Sequence, residues 1–183
     1  MSASVNILLP DNEPVNLIGD SHSRYHVHKR EFRVTAGTYY RANAALVPTL
    51  VDTVLTLLDV QPDDYVLDLY AGAGVFSAFL TQQARLVTAV ESSPPAATDA
   101  ETNLADLDNI DVIEGAVETA LGELDGRYDA AVLDPSGPLG GEGIEQLVGP
   151  GVERLVYGSG AGGDPAGGCQ PLARAGYRPV RAQ

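Results

Sequence analysis

Tyr65-Val66-Leu67-Asp68-Leu69-Tyr70-Ala71-Gly72-Ala73-Gly74-Val75-Phe76-Ser77 is an apolar run that meets a carboxylate and then a two-glycine turn. It reads as strand, tight loop, helix. Glycines at 72 and 74 let the backbone turn sharply and approach a ligand with no Cβ in the way, while the following helix aims free N–H groups back at that ligand. This is the expected first crossover of a Rossmann-like sheet.

The spacing also selects among cofactors. A dinucleotide fingerprint places a third glycine three residues after Gly74, and Ser77 stands there, which disfavours NAD. A nucleoside ligand without a pyrophosphate needs the tight turn but less of the phosphate cradle. S-adenosylmethionine, with its ammonium and sulfonium, suits a loop entered through Asp68. Glu91 ends the next apolar run, Arg85 to Val90, where a carboxylate can accept both ribose hydroxyls. Gly-X-Gly turns are common, so the competing reading is a purely structural βαβ unit. The cofactor reading expects Asp68 and Glu91 to face one cleft at the C-terminal edge of the sheet, since both end parallel strands beside the first crossover.

The 183 residues, 44% of them hydrophobic, suit one domain with a full core and exclude a disordered chain. No apolar run reaches membrane-spanning length and no basic-then-apolar leader opens the sequence, so the expected compartment is cytoplasmic and no membrane partner is expected. Cys169, the single cysteine, has no disulfide partner and no companions for a structural zinc site.

A formal net charge of −14 opposes binding to a phosphate backbone. The cations are unevenly placed, however. Arg24, Lys29, Arg30, Arg33 and Arg41, with His22, His26 and His28, give an acidic molecule one basic end. Weak, steeply salt-dependent RNA binding through Arg24, Lys29, Arg30 and Arg33 is one reading, and a solvated hairpin face is the other. The three histidines read as a polar face rather than a metal site. A single Lys beside abundant Asp fits a salt-rich cytoplasm, where acidic surfaces keep proteins soluble.

Residues 1–41 alternate short β-prone runs with turn formers: Val5 to Leu9, Val15 to Ile18, and a hairpin from Tyr25 to Val34. Such hairpins are marginal alone, so they should pack on the main domain or belong to something larger, as in a chain that begins mid-protein. From Asn43 to Leu58, Leu46, Leu50, Val54 and Leu58 recur every four residues, widened by Val47, Val51 and Leu55, with Pro48 in the first turn of a helix. Strands and helices then alternate. The pattern predicts strand 85–90, a helix from Pro94 to about Asp106, strand 110–114, helix 116–123, strand 128–133, a helix near 142–147 and strand 154–158. This is α/β with a largely parallel sheet. Gly158 to Gly168 reads as a mobile glycine-rich loop, followed by a short helical piece and a strand, Tyr177 to Arg181.

Two stretches, Phe32-Arg33-Val34-Thr35-Ala36-Gly37-Thr38-Tyr39-Tyr40-Arg41-Ala42-Asn43 and Leu67 to Ser77, make the chain resemble the catalytic domain of RNA uracil-5-methyltransferases. These are S-adenosylmethionine-dependent enzymes acting on tRNA and ribosomal RNA. The likeness continues co-linearly through Ala89-Val90-Glu91, Asp129 to Pro135 and Leu155-Val156-Tyr157. It implies a methyltransferase-like domain over 42–183, with residues 1–41 as a small antiparallel β extension. It further implies a cofactor pocket lined by Tyr70, Glu91 and Asp134, with Asp134-Pro135 near the target base.

The departures from that family bear on the chemistry. Its mechanism needs a cysteine thiolate to add to uracil C6, and the resemblance puts the nucleophile's place at Gly160, which has no side chain to attack with. The family's glutamine in the cofactor site corresponds to Arg41, its Asp-Pro-Pro-Arg motif to Asp134-Pro135-Ser136-Gly137, and the cysteine of its glycine loop to Ala71. The family's distal glutamate lies beyond Gln183 or is absent, as is its N-terminal RNA-binding barrel. Cys169, nine residues past Gly160 and with nothing beside it to lower its pKa, reads as an inert thiol. The resemblance leaves Asp134 as the candidate base or acceptor-positioning group. It leaves two functions open: an RNA methyltransferase domain that keeps the cofactor half of its site, or a non-catalytic module that binds S-adenosylmethionine or RNA.

Overall fold

The computed structural model describes residues 4–8, 14–38, 43–137, 147, 151–158 and 165–181, with the backbone alone at 8, 14 and 165–169. In chain order the elements are β1 (Val5–Leu8), β2 (Pro14–Ile18), β3 (His22–Val27), β4 (Arg30–Thr35), α1 (Val47–Leu58), β5 (Tyr65–Leu69), α2 (Val75–Leu80), β6 (Leu86–Glu91), α3 (Pro94–Leu104), β7 (Ile110–Glu114), α4 (Val117–Glu123), β8 (Ala130–Leu133), β9 (Arg154–Tyr157) and α5 (Pro165–Arg174). A parallel sheet in the order β7-β6-β5-β8-β9 forms the centre. The chain lays β6 and β7 to one side of β5, then returns to place β8 on the other. Loops leaving the C-terminal ends of β5 and β8 therefore part company, which is where open α/β sheets hold ligands.

Side-chain alternation divides the core into two layers. Val66, Val87, Ala130 and Val132 pack under α1, α2 and α3. Leu67, Leu69, Val90, Ala131 and Leu133 face α4 on the other side. Asp68 shares its parity with Val66, so its carboxylate points under the helices of the first layer.

Helix α1 corrects the predicted stripe. Its buried residues are Val47, Val51, Val54 and Leu58, while Leu46 is exposed. A repeat of four drifts around a helix of 3.6 residues per turn, so the core-facing line steps by four, three and four instead. Pro48 does lie in the first turn. The helix ends at Asp59 with φ +49°, whose N–H bonds Leu55 O, and Arg154 of β9 holds that end through Leu58 O (3.2 Å), Asp59 O and the Asp64 carboxylate.

Both N-terminal pairs are antiparallel hairpins. In β3–β4 the two-residue turn His28-Lys29 follows Val27, and Val27, Phe32 and Val34 are buried. Phe32 lies 6.2 Å from Phe79 of α2, centroid to centroid, and β4 packs along α3. The β1–β2 pair leaves Val5, Ile7, Leu17 and Ile18 exposed.

Two expectations fail at the C-terminal end. Tyr177 to Arg181 is no strand: it forms no ladder with a described strand, Pro179 removes a ladder donor, and the Tyr177 hydroxyl donates to Val152 O at 2.9 Å. Residues 165–168, expected within a mobile loop, open α5 instead. Pro165 is preset for a first helical position, and buried Leu172 anchors the helix, which offsets the conformational cost of Gly167 and Gly168. The helix predicted near 142–147 and the loop at 159–164 lie outside the described residues, apart from buried Leu147. No described helix is long and apolar enough to cross a membrane.

Burial of Phe32 makes hairpin β3–β4 part of the central core. Phe32→Ala is expected to cost about 3–5 kcal/mol of unfolding free energy in a urea titration. A loss below about 1 kcal/mol, in the range of ordinary surface substitutions, would show the hairpin to be an appendage.

Candidate functional site

The turn between β5 and α2 bends through three left-handed residues, Tyr70 (φ +65°), Gly72 (φ +57°) and Gly74 (φ +79°). The two glycines do different work. A Cβ on Gly74 would stand 2.8 Å from Leu104 Cδ1, so glycine here lets the turn press against α3. A Cβ on Gly72 would meet nothing within 4 Å, so this face of the turn borders open space. Ala71 N–H donates to Val90 O (3.1 Å) and Gly74 N–H to Ala71 O (3.0 Å), pinning the turn to β6.

Asp68 is 0% exposed. Its Oδ2 accepts a 2.5 Å hydrogen bond from Ser77 Oγ, while Oδ1 is buried with no hydrogen-bond partner. Burial pushes this carboxyl up to about 7; the charges of Asp134 and Glu91 add to that, and the Ser77 bond opposes it. The residue standing where a third dinucleotide glycine is absent thus holds the carboxylate of the strand.

Glu91 grips the turn from β6. Its Oε2 accepts from Gly72 N–H at 2.8 Å and its Oε1 from Ser93 N–H at 2.7 Å, leaving further lone pairs on both oxygens. Asp134 follows β8, its N–H 3.4 Å from Leu69 O. Asp68, Glu91 and Asp134 therefore converge from three adjacent strands, and among the described residues no Arg, Lys or His forms an ion pair with Asp68 or Glu91. Three carboxyl groups in one field, one of them fully buried with an orphan oxygen, favour a cationic ligand with hydrogen-bond donors. A nucleoside carrying ammonium and sulfonium charges fits that set of acceptors.

Tyr70, which the resemblance puts in the cofactor pocket, is half-buried at the start of the turn beside Glu118. Burial, then the charge and hydrogen bond of Glu118 on α4, push its phenol up to about 12. Glu118 had no motif to mark it. Arg41 and Gly160 lie outside the described residues, as does the Cys169 side chain.

The basic segment is largely engaged within the fold. Arg30 bonds Asn103 O and the Asp106 carboxylate, Arg33 Nε is 2.9 Å from Asp99 Oδ1, and Arg24 pairs with Glu31 at 2.5 Å. Lys29, at the hairpin tip, forms no ion pair with a described residue. His26 pairs with Glu31 (3.5 Å), and His28, in the turn rather than on the strand, with Asp52 (3.0 Å). Asp99 and Asn103, which receive much of this segment, are buried polar residues of α3. Their signal was present: they continue the face of Ala96, Ala100 and Leu104, where a carboxylate and an amide are out of place unless they have partners.

A cleft of about 910 Å³ opens at the other edge of the sheet, beside Asp63, Thr88, Asp111, Arg127, Tyr128 and Asp129. It lies away from the glycine turn, and its buried hydroxyls, Thr88 and Tyr128, bond each other at 3.0 Å. The converging carboxylates are all at the opposite edge.

The tRNA (uracil-5-)-methyltransferase family model matches residues 20–126, more than half of the chain. An RNA methyltransferase of Thermotoga maritima is 34% identical over 131 residues, covering 69% of this chain and 29% of that protein. A 23S rRNA (uracil(1939)-C(5))-methyltransferase of Shewanella sediminis is 28% identical over 182 residues, 96% of this chain and 41% of that one. The chain thus spans well under half the length of these relatives. Among solved structures, a Pyrococcus abyssi tRNA (uracil-54, C5)-methyltransferase in complex with S-adenosyl-L-homocysteine superposes with a TM-score of 0.62 at 22% identity, covering 86% of this chain and 37% of that one. A precorrin 8w decarboxylase of Methanobacterium thermoautotrophicum gives 0.70 at 22% identity, covering 80% and 79%. Both likenesses establish the Rossmann-like architecture.

Asp68 yields a pH prediction. Its folded carboxyl titrates near 7 against an ordinary 3.8, so between those values the folded chain keeps a proton that the unfolded chain releases. The contribution of this group to stability is complete below about pH 4 and is lost as pH rises through 7. Asp68→Asn cannot ionise, so urea unfolding should show its stability gaining on the native chain from pH 4 to 8. Parallel pH profiles would contradict a buried, protonatable Asp68.

Proposed function

Because the chain belongs to the tRNA (uracil-5-)-methyltransferase family, we propose that it binds S-adenosylmethionine at the C-terminal edge of its sheet and forms the cofactor half of an RNA methyltransferase site. The observation that carries this is the convergence of Asp68, Glu91 and Asp134 around a turn whose Gly72 borders open space. The free lone pairs of Glu91 suit two ribose hydroxyls, while Asp68 and Asp134 supply the negative field for the ammonium and sulfonium. Gly72 and Gly74 shape the turn, Tyr70 walls it, and Arg41 is assigned to the site by its place in the family pattern. When bound, the cofactor offers an electrophilic methyl group.

Asp134, followed by Pro135, stands where a methyl acceptor would approach, and its carboxylate can take a proton or a hydrogen bond from that acceptor. RNA is the proposed acceptor. Its backbone would meet Lys29 at the hairpin tip and Arg24, which stays exposed beside Glu31, since Arg30 and Arg33 are held against Asp106 and Asp99. A cytoplasmic setting accords with that substrate. Glycine at 160 favours a second reading for uracil chemistry, because a chain with no thiolate at that position binds cofactor and RNA without forming the C6 adduct.

Calorimetric titration with S-adenosylmethionine tests the cofactor assignment: binding is expected, and Glu91→Ala should weaken it by about 1.5–3 kcal/mol, the cost of removing a charged acceptor. Unchanged affinity would move the ribose elsewhere. Methyl transfer to bulk RNA separates a catalytic domain from a binding module. With 5-fluorouridine RNA no covalent adduct is expected, and one lost on Cys169→Ser would make Cys169 the nucleophile.

A further inference from the structure

Asn103 lies on the inner face of α3 with its whole side-chain amide committed. Oδ1 accepts from Arg33 N–H at 2.8 Å, and Nδ2 donates to Arg33 O and to Ala73 O, both at 2.9 Å. Ala73 is the residue between the two glycines. One turn earlier on α3, Asp99 accepts from Thr35 N–H (2.5 Å) and from Thr35 Oγ1 (2.8 Å). Just beyond the helix, Asp106 takes Arg30. The hairpin is thus docked along α3 and the turn that follows it, and among the described residues in these contacts Asn103 is the one that also bonds the glycine turn.

That third contact matters because of what it holds. A turn containing Gly72 and Gly74 has many backbone conformations of similar energy, and its own bonds fix residues 71, 72 and 74 while leaving the Ala73 carbonyl to be oriented from outside. Asn103 does this from a buried position, where losing a donor leaves a carbonyl unsatisfied. The same NH2 group bonds the hairpin backbone, so displacement of either partner disturbs the other.

We propose that Asn103 is a positioning residue that fixes the cofactor turn through Ala73 O and couples it to hairpin β3–β4, so that cofactor binding and seating of the hairpin reinforce each other. This rests on the cofactor reading given above. The coupling is reciprocal by linkage and runs through the Asn103 amide: whatever tightens the turn firms the hairpin backbone at Arg33, and whatever displaces that backbone from Asn103 weakens the cofactor.

The test combines affinity with amide exchange. Asn103→Asp keeps shape and one acceptor but turns both donors into lone pairs facing carbonyls. Asp106→Ala removes one hairpin anchor just beyond the same helix without touching the turn. S-adenosylmethionine should slow exchange across 22–35 in the native chain, Asn103→Asp should weaken cofactor binding about tenfold and abolish that slowing, and Asp106→Ala should lower the melting temperature with affinity within twofold of native. The proposal is overturned if Asn103→Asp binds within twofold of the native chain, if Asp106→Ala weakens binding equally, or if the hairpin exchange of the native chain ignores the cofactor. The last measurement needs no variant and stands even if Asn103→Asp does not fold. A native chain that fails to bind S-adenosylmethionine overturns the cofactor reading itself, and this coupling with it.

Discussion

The close approach of Gly74 to Leu104 is the constraint from which the rest follows. A left-handed residue with no room for a Cβ brings the start of α2 hard against α3, and in that packing Ser77 bonds Asp68 and Asn103 reaches Ala73 O. Because α3 follows β6 directly, the same contact fixes Glu91 relative to the turn, where its two oxygens receive Gly72 and Ser93 N–H. Packing thus comes first, and the hydrogen bonds then hold a shape that packing has already selected.

What results is an electrostatic arrangement that is unfavourable when left to itself. Asp68 is removed from water with one oxygen unpartnered, and Asp134 and Glu91 stand near enough to resist its ionisation. A fold carries such a cost where a ligand relieves it. The relief required is positive charge accompanied by hydrogen-bond donors at the end of the sheet, and a dinucleotide phosphate would bring the opposite sign.

Much of this was legible in the sequence. The strand-turn-helix at 65–77 and the alternation that followed gave the parallel sheet, and Asp68, Gly72, Gly74 and Glu91 did come to one edge. The parts that escaped are those set by distant partners. Arg30 and Arg33 looked like an exposed basic end, but their carboxylates lie just beyond α3 and on it, 76 residues away for Arg30 and Asp106. Tyr177 to Arg181 had the residues of a strand, but Tyr177 is held by Leu172 O and Val152 O and Pro179 has no N–H to give a ladder. Glu118 reaches Tyr70 through the packing of α4, which no local pattern encodes.

The two ends of the sheet make opposite claims on a ligand, one through carboxylates around a glycine turn and the other through an open cleft at Thr88, Asp111 and Tyr128. Amide chemical shifts followed during titration with S-adenosylhomocysteine decide between them residue by residue. The account predicts saturable shifts at Tyr70, Gly72, Ser93 and Asp134, with little change at Thr88, Asp111 and Tyr128. Shifts confined to the latter group, or none at either end at millimolar ligand, would contradict it.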